Sequence, residues 1–221
     1  MAPGTLTPRH RVWTYRHPAV VLGCSQRALH EGVRQQLRDR AALVLRESGG
    51  GAVLAGPWLV SASVVLPHDH AWVLGGVVDG YRQIAELHVA SLADIGIVGE
   101  PLLPGDVAQA NDSSPTVRWA CFGSLSPWEI VAGGGRKLVG LAQRRRRHVV
   151  LLVAGTLVGE PDWSLLCEAA GHPRDEPLLK ARTVSCAQIA GRPVAAERFA
   201  VVLQRRLEAT LTAIAAASSA A

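Results

Sequence analysis

The stretch GGGRKLVGLAQRRRRHVVLL, residues 133–152, decides how the middle of this chain folds. Three glycines separate two apolar segments, EIVA (129–132) and RKLVGLAQ (136–143), which is the pattern of a β-hairpin closed by a glycine turn. HVVLLVAGTLV (148–158) follows as a third apolar strand. Strict alternation along RKLVGLAQ puts Lys137 on one face with Val139, Leu141 and Gln143, and puts Leu138, Gly140 and Ala142 on the other. A cation heading an apolar row is costly to bury without an anionic partner. One reading is a strand-end lysine that snorkels into solvent beside the turn. The other is a lysine carried into a pocket, with glycine at position 140 removing bulk close to it.

Four consecutive arginines, Arg144 to Arg147, followed by His148, invite a nucleic-acid reading. No aromatic residue interleaves with them, and they prolong a strand rather than a helix sized for a major groove. Alternation also sends two to each face. A solvated hairpin end comes first, docking to an acidic protein surface by electrostatic steering second, and nucleic acid third.

Outward from the hairpin, the chain reads as one α+β domain covering residues 1–221. VWTY (12–15), AVVLG (19–23), AVLA (52–55) and LVSASVVLP (59–67) read as strands, and ALVLR (42–46) as a buried one. VRWACFG (117–123) reads as a strand carrying Cys121. Val33, Leu37 and Ala41 mark a short amphipathic helix. The clearest helix spans 79–95, with Ile84, Leu87, His88, Ser91, Leu92 and Ile95 on one stripe and Asp79 as N-cap. Residues 99–116 read as a loop, 162–170 as a short helix followed by a loop, and 195–216 as a terminal helix with Phe199, Val202, Leu203, Arg206, Leu207 and Leu211 on its apolar face.

Hydrophobic residues make up 48% of the 221 and charged residues 19%, a globular composition that excludes disorder throughout. The net charge of +5 is concentrated in the arginine run, so it is a local feature. Cys24, Cys121, Cys167 and Cys186 lie far apart, without a CxxC pair or a histidine at ligand spacing, so no metal site and no disulfide framework is expected. MAPGTLTPRHRVW (1–13) lacks the apolar core of a signal peptide, and no run reaches the ~18 apolar residues of a membrane span. TAIAAASSAA (212–221) is too weakly apolar to anchor the chain. A cytoplasmic location with no membrane partner is the expectation.

Two further features carry chemistry. Gly49, Gly50 and Gly51 sit between strands, either as a loose turn or as a loop whose backbone approaches a ligand; they match neither a P-loop nor a GxGxxG fingerprint. Cys121 precedes Lys137 by sixteen residues. A thiol becomes nucleophilic when a nearby cation lowers its pKa, and Lys137 or Arg136 could supply one; otherwise it is a small buried hydrophobe.

Four stretches, in order, resemble the biotin/lipoate protein-ligase superfamily in its lipoate–protein ligase A and octanoyltransferase branch. They are PAVVLGCSQ (18–26), RESGGGAVLAGP (46–57), CFGSLSPWEIVAGGGRKLVGLAQRR (121–145) and AGTLV (154–158), so the resemblance runs from residue 18 to about 158. It implies an α+β catalytic domain with an acyl site over a mixed β-sheet flanked by helices. It also implies attachment of a lipoyl or octanoyl group to a lysine of a small carrier domain, in 2-oxoacid dehydrogenases or the H protein of glycine cleavage. Lys137 matches the lysine that contacts the activated acyl carbonyl, where a cation stabilises developing charge. Arg46, Ser48, Gly49, Gly50, Gly51, Ala52 and Val53 match the loop around the acyl chain, and Arg136, Gly140 and Gln143 match the supporting hairpin.

The first expectation from this resemblance is a ligase working through an acyl-adenylate, with ATP, Mg2+ and lipoate. The alternative is an ATP-independent octanoyltransferase that forms a thioester on Cys121 and needs nothing beyond its acyl donor. A third reading is a non-catalytic basic binding module or a degenerate paralogue. The family's second arginine before the loop is Glu47 here, and its two motif histidines are Ala55 and Ala154. The strand and helix that usually precede the first motif are not evident, nor is a C-terminal accessory domain, so an accessory subunit is a further expectation.

Overall fold

A computed structural model describes residues 7–219, leaving residues 1–6 of the N-terminal segment and the last two alanines outside the described residues. The chain runs β1 (Arg9–Trp13), β2 (Ala19–Leu22), α1 (His30–Leu37), β3 (Ala42–Leu45), β4 (Val53–Ala55), β5 (Leu59–Pro67) and α2 (Val77–Ala93). It continues through β6 (Glu100–Pro101), α3 (Val107–Asp112), β7 (Ile130–Ala132), β8 (Arg136–Arg145) and β9 (Val149–Leu157). Four helices complete it: α4 (Trp163–Ala169), α5 (Glu176–Arg182), α6 (Cys186–Ala190) and α7 (Ala196–Ser219).

The α+β expectation holds, with the strands divided between two sheets. The larger has the order β1-β5-β9-β8-β7-β6 and is antiparallel throughout. The smaller, β3-β2-β4, is mixed: β2 runs parallel to β3 and antiparallel to β4. Alternation gives the larger sheet two working faces. Val60, Ala62, Val64 and Leu66 of β5, with Val150 and Leu152 of β9, pack against Ile84 and Leu92 of α2 and Phe199, Leu203 and Leu207 of α7. Each of these side chains larger than alanine contributes roughly 1.5–3 kcal/mol on burial, so this is the platform that holds the strands in register. On the smaller sheet, Val20, Leu22 and Leu54 join a second core with Val33 and Leu37 of α1 and Leu165 and Leu166 of α4. The remaining face of each sheet looks toward the other across a cleft.

Several sequence expectations are corrected. ALVLR is not buried: β3 lies at the edge of the small sheet, where alternate residues such as Val44 face solvent. Asp79 is not an N-cap; α2 starts two residues earlier, after Gly76, and Asp79 falls in its first turn. The loops expected at 99–116 and after 170 contain α3, α5 and α6. These are short helices without a long apolar period, which tertiary packing rather than local pattern stabilises. VRWACFG is not a strand: Ala120 makes a single parallel bridge to Ala52, and Cys121–Gly123 forms a 3-10 turn. The terminal helix covers the expected span and runs on to Ser219. Among the described residues no helix is long and apolar enough to cross a membrane.

Candidate active site

The cleft between the sheets holds a cavity of about 480 Å3. Its floor is the larger sheet, in rows fixed by register. Ser61, Gly155 and Gly140 lie side by side across β5, β9 and β8. Ser63, Val153 and Ala142 form the next row, and Leu151 and Arg144 the one after. The roof is Val21, Val53 and Ala55 of the small sheet with Arg46, Glu47 and Ser48 of the glycine loop. Ala55 and Ala154, which stand where the family pattern has histidine, both line this space. The result is a mostly apolar trough, with Cys121 in its wall, Phe122 against Gly140 and Gly155, and Arg144 two rows along β8 from Gly140.

The glycine loop is what places Cys121. Arg46 donates to the carbonyls of Gly49 and Gly51, at 3.0 and 2.8 Å from Nη2, and so braces the loop from inside. Ala52 then donates its N–H to the Trp119 carbonyl, and Cys121 donates its N–H to the Ala52 carbonyl, both at 2.8 Å. A side chain at position 51 would bring its Cβ to 2.6 Å from the Trp119 oxygen and 2.8 Å from the Cys121 nitrogen. Glycine is therefore required there by close backbone approach. Two segments far apart in sequence are stitched together, and Cys121 sits at the seam, partly exposed to the trough.

The other cysteines differ in their surroundings. Burial pushes the thiols of Cys167 and Cys186 up to about 12, which leaves both un-ionised and inert at neutral pH. Cys24 is exposed and does not line the trough. Cys121 alone combines access with a position in the cavity wall.

Lys137 overturns the snorkelling reading, being only 1% exposed. Its ammonium contacts the Glu129 carboxylate at 2.7 Å and donates to the carbonyls of Cys121 and Ser124 at 2.7 and 3.0 Å. An ammonium has three protons, and all three are engaged. The Phe122 ring lies beside it, 5.3 Å from Nζ to the ring centroid. Lys137 thus holds the 121–124 turn from behind and does not itself line the trough. Glycine at 140 leaves room for it: a Cβ there would sit 3.2 Å from Lys137 Cε and 3.5 Å from Phe122.

Simple alternation assigned Lys137 to the wrong face, and a β-bulge explains why. Val131 pairs with Lys137, but the next residue, Ile130, pairs with Val139, so Leu138 is an extra residue in β8. A bulge re-aims the side chains on one side of it. Val139 and Leu141 face the helix-side core as expected, whereas Lys137 turns toward Gly140 and Phe122 on the cleft side. Beyond the bulge Lys137 bridges to Thr183, and its carbonyl accepts from the Val184 N–H at 3.0 Å.

Glu129 is the site residue that sequence reasoning did not assign. It is 1% exposed and accepts from Lys137 and from the N–H groups of Ser126 and Leu141, at 2.8 and 3.1 Å. Burial pushes its carboxyl pKa up, while the Lys137 charge and these donors oppose the shift. The residue before it, Trp128, holds φ at 67°, a conformation that costs an ordinary residue about 1–2 kcal/mol. The signal was present in the sequence: a buried Lys137 demands an anion, and Glu129 stands on the facing arm of the hairpin.

The remaining candidates divide. Ser48 and Val53 line the trough, and Ala52 supplies the stitch to Cys121. Arg136 closes its own turn by donating to the Gly133 carbonyl at 3.0 Å. Gln143 points to the helix side, its amide between the Val77 carbonyl and the Arg145 guanidinium. Arg144 and Arg146 both hold Glu47, at 2.7 and 3.0 Å, which ties the floor to the roof. Arg145 donates to the Val73 carbonyl, and Arg147 is exposed.

This arrangement has relatives. The octanoyltransferase LipM of Kyrpidia tusciae is 31% identical over 219 residues, spanning 93% of this chain and 79% of that protein. The LipM of Symbiobacterium thermophilum is 30% identical, spanning 95% and 78%. A structure of a bipartite lipoate protein ligase from Thermoplasma acidophilum, studied with its E2 lipoyl domain, superposes with a TM-score of 0.66 at 19% identity, covering 93% of this chain and 71% of that one. The structural likeness establishes the fold, and the two named relatives favour the transferase reading over the ligase that the sequence motifs put first. Residues 3–208 match the lipoyl protein ligase A/B catalytic domain, and the chain belongs to that family of enzymes.

Proposed function

We propose that the chain is an octanoyltransferase that works through a thioester on Cys121 and passes the acyl group to a lysine of a lipoyl carrier domain. The observation that carries this reading is the position of Cys121, an accessible thiol in the wall of an apolar trough, at the seam between the glycine loop and the Lys137-anchored turn. In the first step the Cys121 thiolate attacks the carbonyl carbon of the donor thioester, a new C–S bond forms, and the donor sulfur leaves and takes up a proton. In the second, the carrier lysine amine attacks the Cys121 thioester, an amide forms, and Cys121 sulfur departs as the amine loses its proton.

Lys137 holds the turn in the resting enzyme. It reaches an acyl carbonyl by exchanging one of its two backbone acceptors, of which Ser124 is the longer contact. Glu129 keeps its charge compensated meanwhile. The exposed Arg147, with Arg144 and Arg146, forms the rim against which an acidic carrier docks. On this reading the enzyme needs no ATP or Mg2+, and 2-oxoacid dehydrogenase lipoyl domains or a glycine cleavage H protein are the acceptors.

Intact-mass measurement tests it. Octanoyl carrier protein should leave one octanoyl adduct on the wild type and none on Cys121→Ala, and an added lipoyl domain should then gain that mass. A wild type that stays unmodified, while ATP and lipoate lipoylate the domain, would replace this reading by the ligase one.

A further inference from the structure

Asn111 lies in the last turn of α3, where the sequence pattern gives only a loop. Its side-chain amide meets the backbone of Leu125 twice. Nδ2 donates to the Leu125 carbonyl and Oδ1 accepts from the Leu125 N–H, both at 2.9 Å. Each contact falls on a peptide group whose other end touches the buried ion pair. The peptide that gives its N–H to Asn111 carries the Ser124 carbonyl, which accepts from Lys137 at 3.0 Å. The peptide that gives its carbonyl to Asn111 carries the Ser126 N–H, which donates to Glu129 at 2.8 Å. Two consecutive peptide groups are therefore held at both poles, by one amide on one side and by the Lys137–Glu129 pair on the other. A peptide group is planar, so fixing its N–H fixes the direction of its carbonyl. Hydrogen bonds in series also polarise one another, which makes the Ser124 oxygen a firmer acceptor for the ammonium.

Asn111 is itself held in place. Arg182 is 3% exposed and forms no ion pair among the described residues. Its guanidinium donates instead to the carbonyls of Ala110, Asn111 and Ser114, at 2.9, 3.2 and 2.7 Å. These are carbonyls at and just beyond the end of α3, which lack helical partners and attract a cation. The two residues after Arg182 grip Lys137 by its backbone: Thr183 bridges to it, and Val184 donates to its carbonyl at 3.0 Å. One stretch of three residues thus sets Asn111 and Lys137 in a common frame.

We propose that Asn111 is a positioning residue for acyl transfer, aiming the Lys137 ammonium through the Ser124–Leu125 peptide. The proposal rests on the transferase reading for the acyl carbonyl that Lys137 reaches. With Asn111 in place the Ser124 oxygen stays where Nζ left it, so the ammonium moves between two fixed acceptors. Without Asn111 the peptide is free to rotate, and Nζ loses that line.

Lys137 and Lys180 are the two lysines of the chain, so in a Lys180→Arg background an isotope label on lysine Nζ, observed by NMR, reports Lys137 alone. Asn111→Ala should shift that resonance and speed its hydrogen exchange. It should also lower kcat for octanoyl transfer from octanoyl carrier protein about a hundredfold, with KM for the donor little changed. Asn111→Asp keeps the acceptor for the Leu125 N–H, and with it the Ser124 plane, but loses the donor to the Leu125 carbonyl. It should melt below the wild type, yet hold the wild-type resonance and stay within about tenfold of its kcat. All rates are taken where circular dichroism shows each variant folded. A resonance that Asn111→Ala leaves unmoved, or a kcat that it leaves intact, overturns the proposal. So does an Asn111→Asp variant as slow as Asn111→Ala, since lost stability would then account for both. If Asn111→Ala does not fold, Asn111→Asp decides: keeping both resonance and rate supports the proposal, and losing either overturns it. A wild type that takes no octanoyl group overturns the transferase reading, and the resonance then still tests the aim of Lys137.

Discussion

Removing the charge of Lys137 by Lys137→Met, and that of Glu129 by Glu129→Gln, should each destabilise the protein by roughly 3–5 kcal/mol. The estimate follows from burial: the side chains are 1% and 2% exposed and 2.7 Å apart, so either charge left alone is stranded away from water. At about 2–4 °C per kcal/mol for a chain of this size, the melting temperature falls by on the order of 10 °C. The double variant should cost little more than either single one, because the second substitution removes the charge that the first left unpaired. The coupling, measured by urea unfolding of all four proteins, should approach the single-variant cost itself, roughly 3–5 kcal/mol. The cost of Lys137→Met should also shrink at acid pH, since burial already favours the protonated Glu129 carboxyl and protonation removes the stranded charge. Single-variant costs that add to within about 0.5 kcal/mol would refute the pair as an energetic unit.

Two further outcomes can be checked. His88 is fully buried, donates from Nδ1 to the Ile84 carbonyl at 2.7 Å, and has its pKa pushed down from 6.5 to about 4 by burial. Below pH 6.5 the unfolded chain takes up a proton that the folded one refuses, so stability is full above 6.5 and is lost as pH falls toward 4, by about 3 kcal/mol in all. Urea titrations between pH 4 and 7.5 should show that slope, and His88→Leu should flatten it. Gly51→Ala should cost roughly 1–3 kcal/mol by forcing the loop off the Trp119–Cys121 backbone, and should abolish octanoyl adduct formation at Cys121. Gly49→Ala, where an added Cβ meets nothing within 4 Å, serves as the control that keeps both.

The elements with long, consistent periods were legible in the sequence. The α2 stripe places Ile84, Leu87, His88, Ser91 and Leu92 in the interior as read, because a helix of this length buries a stripe that can be counted. The glycine-turn hairpin was equally plain, since β7, β8 and β9 lie where the apolar runs put them. Segment 117–123 was misread because a short apolar run looks the same whether it joins a ladder or docks by one bridge, and what distinguishes them here is Gly51, far away in sequence. The orientation of Lys137 was hidden for a related reason: alternation assumes one residue per step, and the extra residue at Leu138 is a property of the pairing with β7. Glu129 had a visible reason to matter, but only once Lys137 was known to be buried.

The same bulge bears on how this hairpin tolerates change in length. Deleting Leu138 would give a regular ladder with Lys137 still on the opposite face from Val139, whereas keeping Leu138 in a regular, unbulged ladder would swap the parity of everything between the glycine turn and Val139. Lys137 would then face the helices instead of the turn that carries Cys121. The orientation of Lys137 therefore depends on where β8 takes up its extra residue, and not on the side chain of Leu138, which packs on the helix side.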